Sequence, residues 1–409
     1  MKTLLARFVI VLLSILAGGA ASAAEKPKVR TVTAFVKLDR TNYRAQVQEG
    51  LAFLRAAKAA YEKAGYEVQT IRITTQPFWE VTSGLTPDEA LRFWRDYDAL
   101  AEKEGFDAAI GPAVFSDADD LRRVEFLGEI LRATKILNGS VVVGDEDGVY
   151  WNAVQASARL MKALAETPRS QGNFRFSATA LLPEGTPFYP GSWHTGDGKQ
   201  FAVGMQSANV VTEAFRGERN PAAAREKLTA LLNTHAGDVE RIARAIVVDT
   251  RWEYLGVDLS PAPLKDESIG TAIEALTGAK IGTAGTMTAA ATITDALRAV
   301  IVKRAGYSGL MLPVLEDTVL AQRWSEGTLT VDSLLSYSAV CGTGLDVVPL
   351  PGDVTEQQLA RIIGDMASLA VKLRKPLSAR LLPVAGKKAG QMTDFDDPFL
   401  VNAVIQPLR

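Results

Sequence analysis

The sequence predicts an α/β fold: a mainly parallel sheet covered by helices, open or closed into a barrel, in one large domain. Three observations carry this. Short segments rich in β-branched residues alternate with helical patterns through most of the chain. The first of them compose a strand–helix–strand unit over residues 29–73. No repeat period emerges, and the longest linker-like stretch, Thr167 to Asn173, is too short to separate domains easily.

Val29 to Val36 alternates in part and reads as the first strand. From about Asn42 to Ala64, Val47, Leu51, Leu54 and Ala57 recur at helical spacing until Gly65 stops the helix. Tyr66 to Ile73 is the second strand. Thr86-Pro87-Asp88-Glu89 has the form of a helix start, with a capping Thr, Pro in the first turn and acids at the positive end. That helix reaches Glu104-Gly105, and Phe106 to Pro112 is a short buried strand. Asp117-Ala118-Asp119-Asp120 lacks the glycine and distal glutamate of a calcium loop. It reads as the cap of a helix over Leu121 to Thr134. A strand at Val141 to Gly144 and a helix at Tyr150 to Ala165 follow.

Phe174 to Thr179 is strand-like and leads into a loop rich in proline and aromatics that ends at Trp193-His194. Phe201 to Met205 is the next strand, and Gln206-Ser207-Ala208-Asn209 opens a helix. Pro221 to Val248 is helical with an expected break near Gly237-Asp238. There His235 falls on the apolar face, which suits a core or capping role. Arg251 to Asp258 leads into the extended Ser260-Pro261-Ala262-Pro263. The loop Gly282 to Thr286 opens a helix over Met287 to Lys303. Its backbone N–H groups would suit an anion, and its glycines equally suit a plain turn, so both readings stand. Gly309 to Val314 is expected to be a buried strand with Glu316-Asp317 at its exit. Cys341-Gly342-Thr343-Gly344 then leads into an apolar strand that ends at Pro351-Gly352. A helix over Thr355 to Leu373 and a strand over Ser378 to Val384 close the pattern.

Apolar residues make up 47% of the 409, ample for a large core, and the net charge is −2. Interspersed charges without a basic stripe argue against a nucleic-acid partner. Lys2 and Arg7, an apolar run from Phe8 to Leu16 and Ala21-Ser22-Ala23 compose an export signal over residues 1–24. The run falls short of the roughly 20 residues of a membrane span. The expected mature chain, residues 25–409, is therefore a single periplasmic domain with no membrane partner. The sequence leaves a homo-oligomer open. A single cysteine rules out an internal disulfide.

Several motifs together resemble one family. They are Phe-Ser-Ala-Thr at 176–179, Phe-Ala-Val-Gly-Met-Gln-Ser-Ala-Asn at 201–209 and Val-Asp-Leu-Ser-Pro-Ala-Pro at 257–263. Leu-Pro-Val-Leu-Glu-Asp at 312–317, Val-Cys-Gly-Thr-Gly-Leu-Asp at 340–346 and Leu-Leu-Pro-Val-Ala-Gly-Lys-Lys at 381–388 complete the set. The chain resembles the domain of unknown function 711 family, strongly from Phe174 to about Gly390. That family is similar in fold to pyruvate formate-lyase and other glycyl-radical enzymes. The resemblance implies a ten-stranded β/α barrel with Cys341 on an internal finger loop and Arg380 to Gly390 near where a radical glycine would be. It does not extend to radical chemistry, because Gly342 and Thr343 follow Cys341 where a Cys-Cys or Cys-x-Glu pattern would be needed.

Strand-exit loops of such a barrel would gather Cys341, His194, Glu316, Asp317 and Asp346 as groups for nucleophilic or acid/base chemistry. Ligand-binding candidates are Arg380, Lys387, Lys388, Gly282, Gly285, Thr286, Gln206, Asn209 and Asp258. Each has a plainer reading: buried cysteines act as small hydrophobes, and charges at strand ends cap helices. Adjacent lysines such as Lys387-Lys388 are usually solvated. Two histidines and one cysteine do not furnish a zinc site, and no calcium loop is present. No cofactor is identified. The expected partner is a small, anionic molecule, either acted upon by acid/base or nucleophilic chemistry or simply bound.

Overall fold

The computed structural model of the chain describes residues 25–408, so the export segment expected over 1–24 lies outside the described residues. The strands are β1 (Lys28–Val36), β2 (Val68–Thr75), β3 (Asp107–Pro112), β4 (Leu137–Asp145), β5 (Gly148–Val149), β6 (Phe176–Ala180), β7 (Gln200–Gln206), β8 (Glu253–Asp258), β9 (Gly344–Pro351) and β10 (Leu377–Val384). The helices of the first half are α1 (Tyr43–Lys63), α2 (Phe78–Val81), α3 (Pro87–Glu104), α4 (Arg122–Ala133), α5 (Trp151–Ala165) and α6 (Ala208–Phe215). Those of the second are α7 (Pro221–Asp249), α8 (Ile269–Thr277), α9 (Thr286–Ala299), α10 (Thr318–Glu326), α11 (Val331–Ser338) and α12 (Glu356–Leu373). A 3-10 stretch, Pro168–Arg175, precedes β6.

All of these strands join one mixed sheet, in the order β8-β7-β1-β2-β3-β4-β6-β10-β9 with β5 beside β4. The neighbours β1, β2, β3, β4 and β6 run parallel. The flanking pairs β7-β8 and β10-β9 run opposite to them. One core spans residues from Val29 to Ile405 and makes the chain a single α/β domain.

Alternation along the strands sorts the faces. Val36 and Ile73 turn to α1 at Gly50. Thr33 and Thr74 turn the other way, where the proline-aromatic loop lies against them. Thr33 Oγ1 donates to Pro187 O (2.9 Å), and the Thr74 and Ser192 hydroxyls are 2.6 Å apart. Helices cover one side of these central strands, and the proline-aromatic loop lies along the other. Local signals hold where they are chemical: Thr86 and Glu89 form a capping box at α3, as the Thr-Pro-Asp-Glu run predicts.

Three expectations need correction. α7 is continuous through Gly237, because a mid-helix glycine costs only about 1 kcal/mol and Leu232, Ala236 and Val239 bury the face around it. Residues 309–314 are not a strand. Their backbone bridges to the sheet at Pro313–Asp346, and a second bridge joins Arg304 to Val257 of β8. Pro313 removes a ladder donor there, and Gly309 instead packs face to face with Gly342. A Cβ on Gly342 would collide with the Gly309 Cα, so this crossing excludes any side chain. Finally, α9 ends at Ala299 and not near Lys303.

Candidate functional site

Two β-bulges place charge in the interior. In β1, Val29 and Thr31 pair with the adjacent residues Met205 and Gly204, which leaves Arg30 as an extra residue. In β9 the register against β10 shifts between Leu345 and Val348, at Asp346-Val347. Val347 sits at φ 49°, a strained conformation for a β-branched residue. Bulges re-aim side chains, and here both displaced side chains reach one cluster.

Arg380 of β10 is its centre. Its Nε donates to Asp346 Oδ1 and its Nη2 to Glu316 Oε1, each at 2.7 Å. Arg30 Nη2 approaches the other Glu316 oxygen at 3.4 Å and Nη1 donates to Gln69 at 3.0 Å. Arg72 of β2 places its buried Nε 3.4 Å from Asp107 Oδ2 across the β2–β3 pair, an ion pair whose geometry falls short of a hydrogen bond. Each arginine lies over an aromatic ring: Arg30 on Phe399, Arg72 on Tyr189 and Arg380 on Phe174, at 4.7–4.9 Å. These groups line a cavity of about 200 Å³, together with Phe188, Tyr307, Met311, Ala262 and Asp397.

The electrostatics follow from burial. Burial raises the Asp346 pKa above the ordinary carboxylate value; Arg380 offsets this only in part, and Glu316 adds to it. Burial works against the Arg380 charge, but Asp346 and Glu316 outweigh it and hold that pKa above its ordinary value. Arg30 is lowered by burial, opposed by Glu316 and reinforced by the like charges of Arg72 and Arg380. Burial also raises Tyr307, which keeps its hydroxyl protonated. Asp258, wholly buried, is pushed up to about 6 by desolvation. It accepts from the Tyr307 and Ser308 amides at 2.8 and 2.9 Å and from Ser260, and so fixes the turn that carries Tyr307.

Of the residues singled out in the sequence, Glu316, Asp346 and Arg380 meet in this cavity, and Asp258 supports its wall. The others lie elsewhere. Cys341 is enclosed in the apolar core, and its thiol makes no hydrogen bond among the described residues. The loop is pinned through its backbone, where Gly342 N donates to Leu310 O and Lys375 to the Cys341 carbonyl. His194 is fully buried against Phe35 with Nε2 on Val36 O, and burial lowers its pKa. Neither contact involves Cys341. Asp317 caps two helices, accepting from the amides of Val319 and Leu320 in α10 and of Ile269 and Gly270 in α8. Gln206 donates to Glu267, and Asn209 to Glu25 O. Gly282, Gly285 and Thr286 compose a helix-start turn closed by the Thr286 hydroxyl on Gly282 N. Lys387 reaches Met392 O and Asp394 at the surface, and Lys388 is exposed. Alternation and motif reading passed over Arg30, Arg72, Tyr189 and Phe399. The one available signal was an arginine inside each of two otherwise apolar and threonine-rich strands.

The family described as "Uncharacterised ACR (DUF711)" matches residues 22–396. A UPF0210 protein of Pyrobaculum islandicum is 33% identical over 359 residues, covering 83% of this chain and 78% of that relative. One from Pyrobaculum aerophilum is 34% identical over 383 residues, covering 87% and 83%. One from Leuconostoc mesenteroides is 27% identical over 358 residues, covering 84% and 80%.

Proposed function

This chain belongs to the DUF711 family, and we propose that its arginine-lined cavity binds a small anionic compound and acts on it by acid/base chemistry. The observation that carries the reading is the buried Arg380–Asp346–Glu316 cluster beside Arg30 and Arg72, the N–H donors of the latter meeting only Asp107, at 3.4 Å. A ligand carboxylate or phosphate at Arg30 and Arg72 would complete those donors. A buried carboxyl whose pKa is raised, such as Asp346, holds a proton more readily than an ordinary carboxylate and is suited to take or return one. Tyr307 stays protonated and can donate a hydrogen bond to an oxygen that gains charge. Nucleophilic attack by Cys341 has no support in its enclosed position.

Proton abstraction leaves an isotopic trace whatever the reaction that follows it. A pool of small anionic metabolites incubated with the protein in deuterated water should show a resonance that loses its proton signal. Asp346→Asn should abolish the exchange while ligand-induced thermal stabilisation persists. Stabilisation without exchange in the wild type would select the alternative, a non-catalytic anion-binding protein. That alternative draws support from the use of both Glu316 and Asp346 as partners of Arg380. Neither effect with any anion would end both readings.

Two wider features belong to the same proposal. The sheet closes into a barrel of the kind glycyl-radical enzymes have, a view supported by residues 304–313, which bridge at one end to β8 and at the other to β9. The protein works in the periplasm, as the export signal in residues 1–24 suggests. Fractionation of cells carrying the full chain tests this, and recovery in the cytoplasm with residues 1–24 retained would refute it.

A further inference from the structure

Outside the arginine-lined cavity lies a second, larger concavity. It is an open cleft of about 900 Å³, bounded by Pro183, Glu184, Leu255, Arg298 and the stretch from Lys303 to Ser308. Its charge is one-sided. Arg298, Lys303 and Arg304 are exposed, and none of them forms an ion pair among the described residues. Lys303 Nζ donates to Tyr254 O at 2.7 Å and Arg304 Nη1 to Arg298 O at 3.2 Å, partners that carry no charge. Glu184, the one carboxylate of the lining, is taken up by the Thr195 and Gly196 amides at 2.6 and 3.2 Å. Glu240, which accepts the Lys303 amide, is paired with Arg244. Lys375, next to Pro376 of the lining, feels the same field: its pKa is lowered by burial and further by the like charge of Arg298.

Cleft and cavity share one residue, since Tyr307 lines both. The turn that carries it passes through positive φ at Gly306 (62°) and Ser308 (41°) and hangs on the Asp258 carboxylate. On the cavity side Tyr307 packs against Phe188, Ala262 and Met311, apolar contacts that hold its ring without a directional bond. A cleft lined by one sign of charge concentrates small ions of the other sign and speeds their association.

We infer that this cleft is an outer capture site for small anions, which pass from Arg298 and Arg304 into the cavity by displacement of the Tyr307 side chain. This rests on the reading of the cavity as an anion site and adds the place where the ligand is first held. The cavity also reaches solvent at the exposed Lys135, and entry from that side is the competing route.

Thiol reporters placed in the cavity wall test the route. Ser177→Cys is close to isosteric, and the buried Ser177 hydroxyl has no hydrogen bond to lose. Met311→Cys is a second reporter and carries the measurement if the first does not fold. The full chain bearing either is treated with the anionic sulfonatoethyl methanethiosulfonate or the cationic trimethylammonioethyl one, and each rate is divided by that of free mercaptoethanol. The wild type, whose Cys341 is enclosed, serves as the blank. At low salt the anionic reagent should be favoured by about tenfold. Arg298→Gln together with Arg304→Gln should slow it about fivefold, an effect that high salt removes, and Lys135→Gln should change it by less than about twofold. Tyr307→Ala should speed both reagents. A cleft variant without effect, Lys135→Gln slowing the anionic reagent as much, or no acceleration by Tyr307→Ala would each overturn the capture site. The anion preference of the reporters would then leave the reading of the cavity standing, whereas its absence would count against that reading too. A cavity thiol that reacts with neither reagent would also overturn the route.

Discussion

Replacing Arg380 by methionine should be among the most costly single changes in this protein, and its cost should depend on pH. The guanidinium holds Asp346 and Glu316 at 2.7 Å each, with all three side chains under 15% exposed. Removing one partner of a buried ion pair typically costs about 3–5 kcal/mol, mostly through the charges left behind. Methionine keeps most of the volume, so cavity formation contributes little. The native pKa of Asp346 is already raised by burial, and loss of Arg380 raises it further. An acid whose folded pKa lies above its unfolded one binds protons more tightly when folded. It therefore favours the folded state in acid and disfavours it as pH rises through that window. The penalty should accordingly be about 3–5 kcal/mol near pH 7.5 and shrink to roughly half or less near pH 4.5. Urea unfolding followed by circular dichroism at both pH values measures it. Lys135→Met, which breaks the exposed pair with Glu102, serves as a control expected to cost about 0–1 kcal/mol at either pH. A cost for Arg380→Met no larger than that control, or one equal at both pH values, would refute the argument.

Asp258→Asn should change the pH dependence of stability in a defined direction. Since its native pKa is pushed up to about 6 from 3.8, Asp258 lowers stability by up to about 3 kcal/mol as pH rises from 4 to above 6. The difference in unfolding free energy between wild type and variant should show that slope, and a flat difference would contradict it. Neighbouring substitutions in the cysteine loop should diverge. Gly342→Ala should lower stability by about 1–3 kcal/mol because its Cβ meets the Gly309 backbone. Cys341→Ala should leave anion binding unchanged. A loss of ligand affinity in folded Cys341→Ala would restore a role for the thiol.

Much of the fold was legible because it is written locally. The opening strand–helix–strand unit, the Thr86 cap and the final helix and strand all follow from periodicity and capping chemistry. Glu316, Asp346 and Arg380 could be picked out as charges at the ends or within apolar strands. That they meet depends on the sheet order, which no local pattern states. Arg30 escaped for a sharper reason. Alternation assumes a regular pleat, and Arg30 occupies the bulge where the pleat slips. Phe399 escaped because nothing local marks residues 394–400 as a cavity wall. The sequence also overvalued its single cysteine, since rarity singles out a residue without saying where its side chain points. The constraint in that loop lies in Gly342, through its contact with Gly309.

The Arg30 guanidinium lies over the Phe399 ring, so one wall of the cavity joins residues that the ribosome makes nearly a whole chain apart. Every strand of the sheet is complete by Val384, yet Asp397 and Phe399 have still to be added. A nascent or prematurely terminated chain could thus hold its full sheet while the pocket stayed open on that side. Because Phe395, Leu400, Ala403 and Ile405 also enter the main core, such a product would lack core packing along with the cavity wall, so one closing segment completes both the scaffold and the pocket.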